Sequence, residues 1–402
     1  MKLINFAKIK DSFVEFNNLT VLAGKPSTNK SYIMKFKYCF DETLSIIKSG
    51  KFLKLSLFMD NKDEIEFLHI ITDFLKNPKN VDLKELVKKG EFVKLRQKLN
   101  ELKNNNELKN NSEYIVMDKI LELIIEKQNK MINLNIEDKF EYLFKNIFYS
   151  IFRDPSQINE EFEVNINNNI IEFKQNEFNF KFNDLEDFNI KNTVFVETPL
   201  ILEFEKYLPS NIASTPYHID SLLQILREEN FSFFDTEEEE FIKEFSQKTF
   251  EIIQGKLIKE SMNFMYKSFE GKLFNIVNTS SGVKSIGLLQ FLVQNRILTT
   301  NSILFWEEPE VHLHPEWQLK IAKLFLFLIK KGVKIVISTH SPLIVNALNI
   351  FSKKEGIKEK ISFNLFYKEN EIVKNLILND ENWNLIQDEL LGTLEELAWE
   401  YI

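Results

Sequence analysis

Residues 302–310 read Ser-Ile-Leu-Phe-Trp-Glu-Glu-Pro-Glu, and residues 333–342 read Val-Lys-Ile-Val-Ile-Ser-Thr-His-Ser-Pro. Each is a short apolar run that stops abruptly in polar residues. Between them, Pro315 to Lys331 carries Trp317, Leu319, Ile321, Ala322, Leu324, Phe325 and Leu328 near helical spacing and closes on Lys-Lys-Gly. This strand–helix–strand pattern predicts a right-handed crossover in a parallel sheet. Ligands in such sheets bind beyond the carboxyl ends of the strands, so both polar clusters fall where chemistry would be placed. Adjacent carboxylates at a strand end add no stability, because Glu is seldom fully buried and like charges raise each other's pKa. A magnesium ion would resolve that conflict. Glu307 would hold the metal or its water, and Glu308 would orient or polarise an attacking water. Taken alone, a Glu-Glu pair is as readily the solvated start of a loop; the rest of the chain decides between the two.

Near the other end, Leu19 to Ala23 reads as a strand that runs into Gly24-Lys-Pro-Ser27-Thr28-Asn29-Lys30-Ser31 and then a helix ending near Gly50. The spacing is that of a phosphate-binding loop, G-x-x-x-x-G-K-[ST], with Asn29 in place of the second glycine. A tight turn after a strand aims backbone N–H groups at a phosphate, and the helix N-terminus adds partial positive charge. Lys30 would reach the β and γ phosphates and Ser31 would ligate magnesium. Asn tolerates positive φ better than other non-glycine residues, so Asn29 is compatible with the turn.

A second anion-type sequence lies far downstream. Asn278-Thr-Ser280-Ser281-Gly282-Val-Lys-Ser285 leads into a long helix over 286–293. Ser and Gly opening a helix present hydroxyls and N–H groups outward, either as a plain N-cap or as an anion site. One nucleotide needs only one phosphate loop, so the second reading suggests a composite site completed between two molecules.

The 402 residues suffice for a large core and two or three domains. A hydrophobic content of 44% and a charged content of 28% are those of an ordinary soluble protein. The lone cysteine, Cys39, excludes an intrachain disulfide, and with no signal peptide in view it points to the cytoplasm. No apolar run approaches the roughly 20 residues of a membrane span, so no membrane partner is expected. The net charge of −9 argues against a general nucleic-acid binder, although a local basic groove would still admit one.

Leu3–Ile9, Phe13–Phe16 and Leu19–Ala23 read as strands. Between 51 and about 150 the chain reads as helical and charged, over Asp63–Lys76, Asp82–Leu102 and Glu113–Ile132, with an exposed Asn-rich tip at Asn104–Asn111. Residues 162–182 alternate as a hairpin or meander, Thr193–Val196 forms a further strand ending at Glu197-Thr-Pro, and 216–265 returns to helices. There the acidic run Glu237–Glu240 reads as a solvated face, and His218 as an ordinary structural histidine.

Taken together, these motifs resemble the ABC-type ATPase heads of the SMC, Rad50 and RecF group, most of all the bacterial AAA-15/AAA-21 and overcoming-lysogenization-defect-like ATPases. Gly24–Ser31 is similar to their Walker A, Ser280-Ser281-Gly282 to the signature motif that reads a partner's γ-phosphate, and Ile303–Glu308 to Walker B. Glu310-Val-His312-Leu-His314-Pro resembles the following D-loop region, and Ser338–Pro342 the switch histidine, His340. The match covers roughly residues 1–45 and 275–350. Three features depart from the pattern: Asn29 for glycine, Glu307 for the usual Walker B aspartate, and no clear Q-loop glutamine, Gln157 being a weak candidate. His312 and His314 hint at zinc but lack further ligands; the resemblance gives them a structural or dimer-interface role.

The resemblance implies an α/β fold, an ABC-type P-loop ATPase head whose mixed sheet is flanked by helices and interrupted by a helical insertion. Residues 1–50, 160–200 and 250–402 would form the head, 51–159 the insertion (an arm or lid), and 201–249 a helical segment packed on the head. It also implies ATP and Mg2+ as ligands, an ATP-sandwich dimer or multiples of it, and hydrolysis by Glu308 and His340. In that reading the chain senses or regulates in phage defence, beside a separately encoded effector, a nuclease or toxin. Two other readings stand beside it: a RecF-like DNA-repair ATPase, and a weakly hydrolysing, ATP-gated scaffold that holds a toxin inactive.

Overall fold

The computed structural model describes residues 1–49, 92–104, 118–119, 121–122, 125–126, 129–130, 132–186, 188–208, 215–227, 236–260 and 263–400. The chain divides into two compact units, Met1–Ser45 with Ile147–Ile402, and Ile46–Asn146.

In the larger unit the strands are β1 (Lys2–Phe6), β2 (Ile9–Phe13), β3 (Leu19–Gly24), β4 (Phe162–Ile166), β5 (Asn169–Lys174), β6 (Glu177–Lys181), β7 (Thr193–Val196), β8 (Gly255–Glu260), β9 (Asn263–Ser268), β10 (Leu273–Asn275), β11 (Ile303–Glu307), β12 (Lys334–Thr339), β13 (Ile361–Glu369) and β14 (Ile372–Ile377). The central sheet has the order β14-β13-β3-β12-β11-β7. Its pairings are parallel except at the β14 edge. Every residue of β3 is buried, as a strand covered on both faces must be.

Alternation sorts the side chains. Leu19, Val21, Ala23, Leu304, Trp306, Ile335 and Ile337 join one core with the helices Ser281–Gln294, Pro315–Lys330 and Pro342–Lys354. On the opposite face, Phe195 and Phe305 stack together, and Tyr38 of the helix Lys30–Lys48 meets both edge-on at 5.2 and 5.6 Å. The crossover over 303–339 is present: β11 and β12 pair in parallel, with Trp306 opposite Ile337 and Glu307 opposite Ser338. Its helix opens on Pro315 behind an N-cap from His314, whose Nδ1 accepts the Glu316 N–H at 3.3 Å.

Two antiparallel sheets flank this core. The first, β2-β1-β4-β5-β6, packs an aromatic face in which Phe148 contacts Phe178 at 4.9 Å and Phe6 contacts Phe36 at 5.3 Å. The second, β10-β9-β8, lies against the helix Ser281–Gln294, where Gln290 Oε1 accepts the Leu257 N–H.

Three expectations change. The strands expected over Leu3–Ile9 and Phe13–Phe16 are instead one hairpin, β1 and β2, which turns where Ala7 adopts φ 53° and ends at Phe13. The stretch 216–265 is helical only over Tyr217–Arg227 and Thr236–Ile253; from Gly255 the chain forms β8 and β9. Within the acidic run, Glu238 is not merely solvated but pairs with Lys191 at 3.2 Å and Arg296 at 3.3 Å.

In the smaller unit the helix Phe92–Asn104 carries the end of the expected Asp82–Leu102 helix, and the described residues between 118 and 130 are helical. The expected helix Asp63–Lys76 and nearly all of the Asn104–Asn111 tract lie outside the described residues. The side chain of Gln157 does too; its backbone closes the 3-10 turn Pro155–Gln157 ahead of β4.

Candidate active site

The site is built where β3, β12, β11 and β7 end together. Their registers align Ala23 with Thr339, Ser338 with Glu307 and Val196 with Trp306. The phosphate-type loop, His340, the Glu307–Glu308 pair and Glu197 therefore leave neighbouring strands from one edge of the sheet.

Gly24 ends β3 at φ 147°, and a Cβ placed there would lie 2.1 Å from the Phe366 carbonyl oxygen. No side chain fits between β3 and β13 at this point. Gly24→Ala is expected to destabilise the fold by about 2–4 kcal/mol, combining backbone strain with overpacking. A urea midpoint equal to that of the parent would refute this close approach.

Beyond Gly24 the loop places Ser27 at φ 61° and Asn29 at φ 63°. Asn29 thus takes the left-handed conformation that the missing glycine would have supplied, which Asn adopts at modest cost. Thr28 is buried and donates its hydroxyl to the Lys25 carbonyl at 2.8 Å. The Lys30 ammonium, buried at the head of the helix, donates to the Gly24 and Lys25 carbonyls and to Thr28 Oγ1 at 2.8, 2.9 and 3.0 Å. Burial pulls its pKa down to about 8, with Glu308, Glu310 and Glu389 opposing.

Ser31 lies near enough to the Glu307 carboxylate to oppose the rise in its pKa, so the two residues expected to share a metal are neighbours. Burial raises the Glu307 pKa to about 6, against the pull of Lys35, while Glu197 and Glu308 push it further up. Glu307 Oε1 is buried with no hydrogen-bond partner among the described residues. An orphaned carboxylate oxygen beside a serine hydroxyl is a donor set that suits a small hard cation such as Mg2+. Among the described residues no three His, Cys, Asp or Glu side chains group to hold a metal. His314 serves as a helix cap, and His312 offers its backbone carbonyl to Ser281.

Glu308 turns the chain away from β11 at φ 46°, an uncommon conformation for a non-glycine residue and one that clusters at functional sites. Its N–H donates to the Ser338 carbonyl at 2.9 Å. Its carboxylate lies 3.2 Å from His340 Nε2, so the two residues assigned to catalysis meet side by side.

Two residues here were not assigned a role from sequence. Glu310 Oε1 accepts from Thr339 Oγ1 at 2.7 Å, His340 N–H at 2.7 Å and Ser341 N–H at 3.1 Å, and so fixes the turn that carries His340. Glu197 is held between Lys35 at 3.1 Å and His218 Nε2 at 3.2 Å. The hydrogen bond from His218, with Lys35 adding, lowers the Glu197 pKa to about 2. Burial lowers that of His218, so a neutral imidazole donates through Nε2 to an ionised carboxylate. His218 therefore has the partner that its sequence context did not reveal. Spacing alone could have flagged Glu197, since it ends a strand just as Glu307 does.

The signature-type residues make their hydrogen bonds elsewhere. Ser280 is exposed and caps its helix, its Oγ accepting the Val283 N–H at 3.4 Å. Ser281 Oγ donates to the His312 carbonyl at 2.6 Å. Gly282 lies flat against Trp317, where a Cβ would come within 2.5 Å of the ring. The turn is thus seated on the loop that follows β11.

Comparison with known proteins adds three observations. No curated protein matches the chain. Solved structures resemble it at low identity. An SMC head bound to the C-winged helix domain of ScpA is 12% identical with a TM-score of 0.43, over 95% of this chain and 97% of that one. The SMC head domain from Thermotoga maritima is 10% identical with a TM-score of 0.40, over 94% and 97%. A head with an extended coiled coil, bound to the C-terminal domain of ScpA derived from Pyrococcus furiosus, is 12% identical with a TM-score of 0.38, over 99% and 98%. The family model described as "AAA domain, putative AbiEii toxin, Type IV TA system" matches residues 101–346, more than half of the chain, and the protein belongs to that AAA_21 family.

Proposed function

We propose that the protein is a Mg2+-dependent ATPase that hydrolyses ATP between two copies of the chain and acts as a sensor or regulator beside a separately encoded effector. The observation that carries this reading is the convergence, where neighbouring strands of one sheet end, of Lys30, the neighbouring Ser31 and Glu307, and the Glu308–His340 pair. Lys30 and the loop N–H groups bind the β and γ phosphates. Ser31 and Glu307 hold the magnesium ion, which when bound offsets phosphate charge. Glu308 takes a proton from the attacking water as its oxygen bonds the γ-phosphorus and the bond to ADP breaks. His340 fixes Glu308 from the side, and Glu310 fixes His340. The family's description, "putative AbiEii toxin, Type IV TA system", supports a setting in bacterial phage defence.

One feature favours the slower, scaffold-like reading. Glu307 carries one more methylene than the aspartate usual at this position, and burial works against its ionisation. A turnover rate separates the two readings.

The composite site is tested by complementation. Ser280→Arg puts a bulky cation where the partner's γ-phosphate would bind, and leaves each chain's own Lys30 loop intact. Chains carrying Ser280→Arg or Lys30→Ala are each expected to be inactive. Mixed, they are expected to recover activity, because one of the two composite sites then has an intact loop and an intact signature turn. ATPase rates across mixing ratios, with mass in solution with and without ATP, make the check. A concentration-independent rate from a monomer, with no recovery at any ratio, would end the two-chain model.

A further inference from the structure

The segment that leaves β7, residues 197–208, is fastened at three points. At its start, Glu197 lies beside Glu307 and is held by Lys35 and His218. Near its end, buried Glu205 accepts from Arg227 Nε at 2.9 Å, and the same guanidinium donates to the Glu205 and Leu208 carbonyls. His218 and Arg227 sit at opposite ends of one helix, Tyr217–Arg227, so a single rod grips both ends of the segment.

The third fastening is Glu203. Its carboxylate lies 2.7 Å from the ammonium of Lys284, and both side chains are largely buried, at 18% and 6% exposure. Lys284 Nζ also donates at 2.7 Å to the carbonyl of Thr279, the residue just before the cap Ser280. A lysine in the first turn of a helix opposes the helix dipole, so the cation is poorly placed for the stability of the helix alone. It is well placed to fix the backbone that presents Ser280 and Ser281.

We infer that the Glu203–Lys284 ion pair is the joint through which the segment anchored at Glu197 sets the signature-type turn, making Glu203 and Lys284 positioning residues for ATP hydrolysis. The inference rests on the two-chain reading above. The joint belongs to the signature half of a composite site, so its loss acts on the partner's nucleotide and not on the chain's own loop.

The test uses the full chain. Glu203→Gln is expected to leave ATP affinity within about twofold of the parent and to lower turnover by about tenfold or more, since it unpairs one member of a buried charge pair. A second variant, Glu203→Leu with Lys284→Met, replaces the pair with apolar side chains of similar size, which buried sites often accept without loss of stability. It is expected to show the same loss of turnover in a folded protein. Mixed with Lys30→Ala chains, either variant should regain activity above the sum of the parts, as a merely destabilised chain would not. Parent-like turnover in the double variant would overturn the inference. So would lost ATP affinity, or failure to complement Lys30→Ala under conditions where Ser280→Arg succeeds. If Ser280→Arg also fails, the two-chain reading has failed and the inference falls with it.

Discussion

Lys30→Ala is expected to abolish ATP binding at ordinary concentrations. The ammonium is the principal cation of the loop, buried at the helix N-terminus and gathered in by three loop acceptors. Truncation removes the charge that would meet the β and γ phosphates and also takes the ammonium donor from the Gly24 and Lys25 carbonyls, leaving Lys25 only the Thr28 hydroxyl. Losing one member of a buried charge-assisted contact costs about 3 kcal/mol or more, upward of a hundredfold in affinity. Equilibrium binding of a fluorescent ATP analogue reads this, with circular dichroism to show that the chain is folded. Parent affinity in a folded Lys30→Ala protein would remove the phosphate-loop assignment.

Glu308→Gln is expected to act at a later stage. The amide keeps the shape and the backbone turn but can no longer take a proton from water. Hydrolysis should slow by about a hundredfold or more, the usual contribution of a positioned general base, while ATP still binds and the two-chain state accumulates. The motive is the carboxylate 3.2 Å from His340 Nε2, beyond the strand end. Single-turnover hydrolysis and size in solution with ATP provide the readout. Should Glu307→Gln spare both Mg2+ dependence and turnover, with Glu308→Gln weakening ATP binding instead, the roles of the two carboxylates have been exchanged.

The sequence made the strand ends legible because their signals are local. A buried strand announces itself by an apolar run, and its end by the polar residues that follow, so Gly24–Ser31 and Glu307–Glu308 could be placed without coordinates. The β1–β2 hairpin was not legible, since it turns at Ala7 and Lys8, where no Gly or Asn signals it. The β8–β9 hairpin was hidden because Ile253, Leu257 and Ile258 fall at helical as readily as strand spacing. Pairings across distance stayed out of reach. Glu310 meets Thr339 from 29 positions away and His218 meets Glu197 from 21, and no spacing rule names such partners.

The position of β3 has a consequence for synthesis. The strand that carries the phosphate-type loop lies between β12 and β13, and its Gly24 pairs with Phe366. A nascent chain makes the loop long before β12 and β13 and cannot enclose it until both have left the ribosome. Early fragments hold an exposed apolar strand with neither neighbour available, the kind of species on which chaperones act. On the proposed reading, nucleotide would therefore stabilise only a chain whose β13 has already been made.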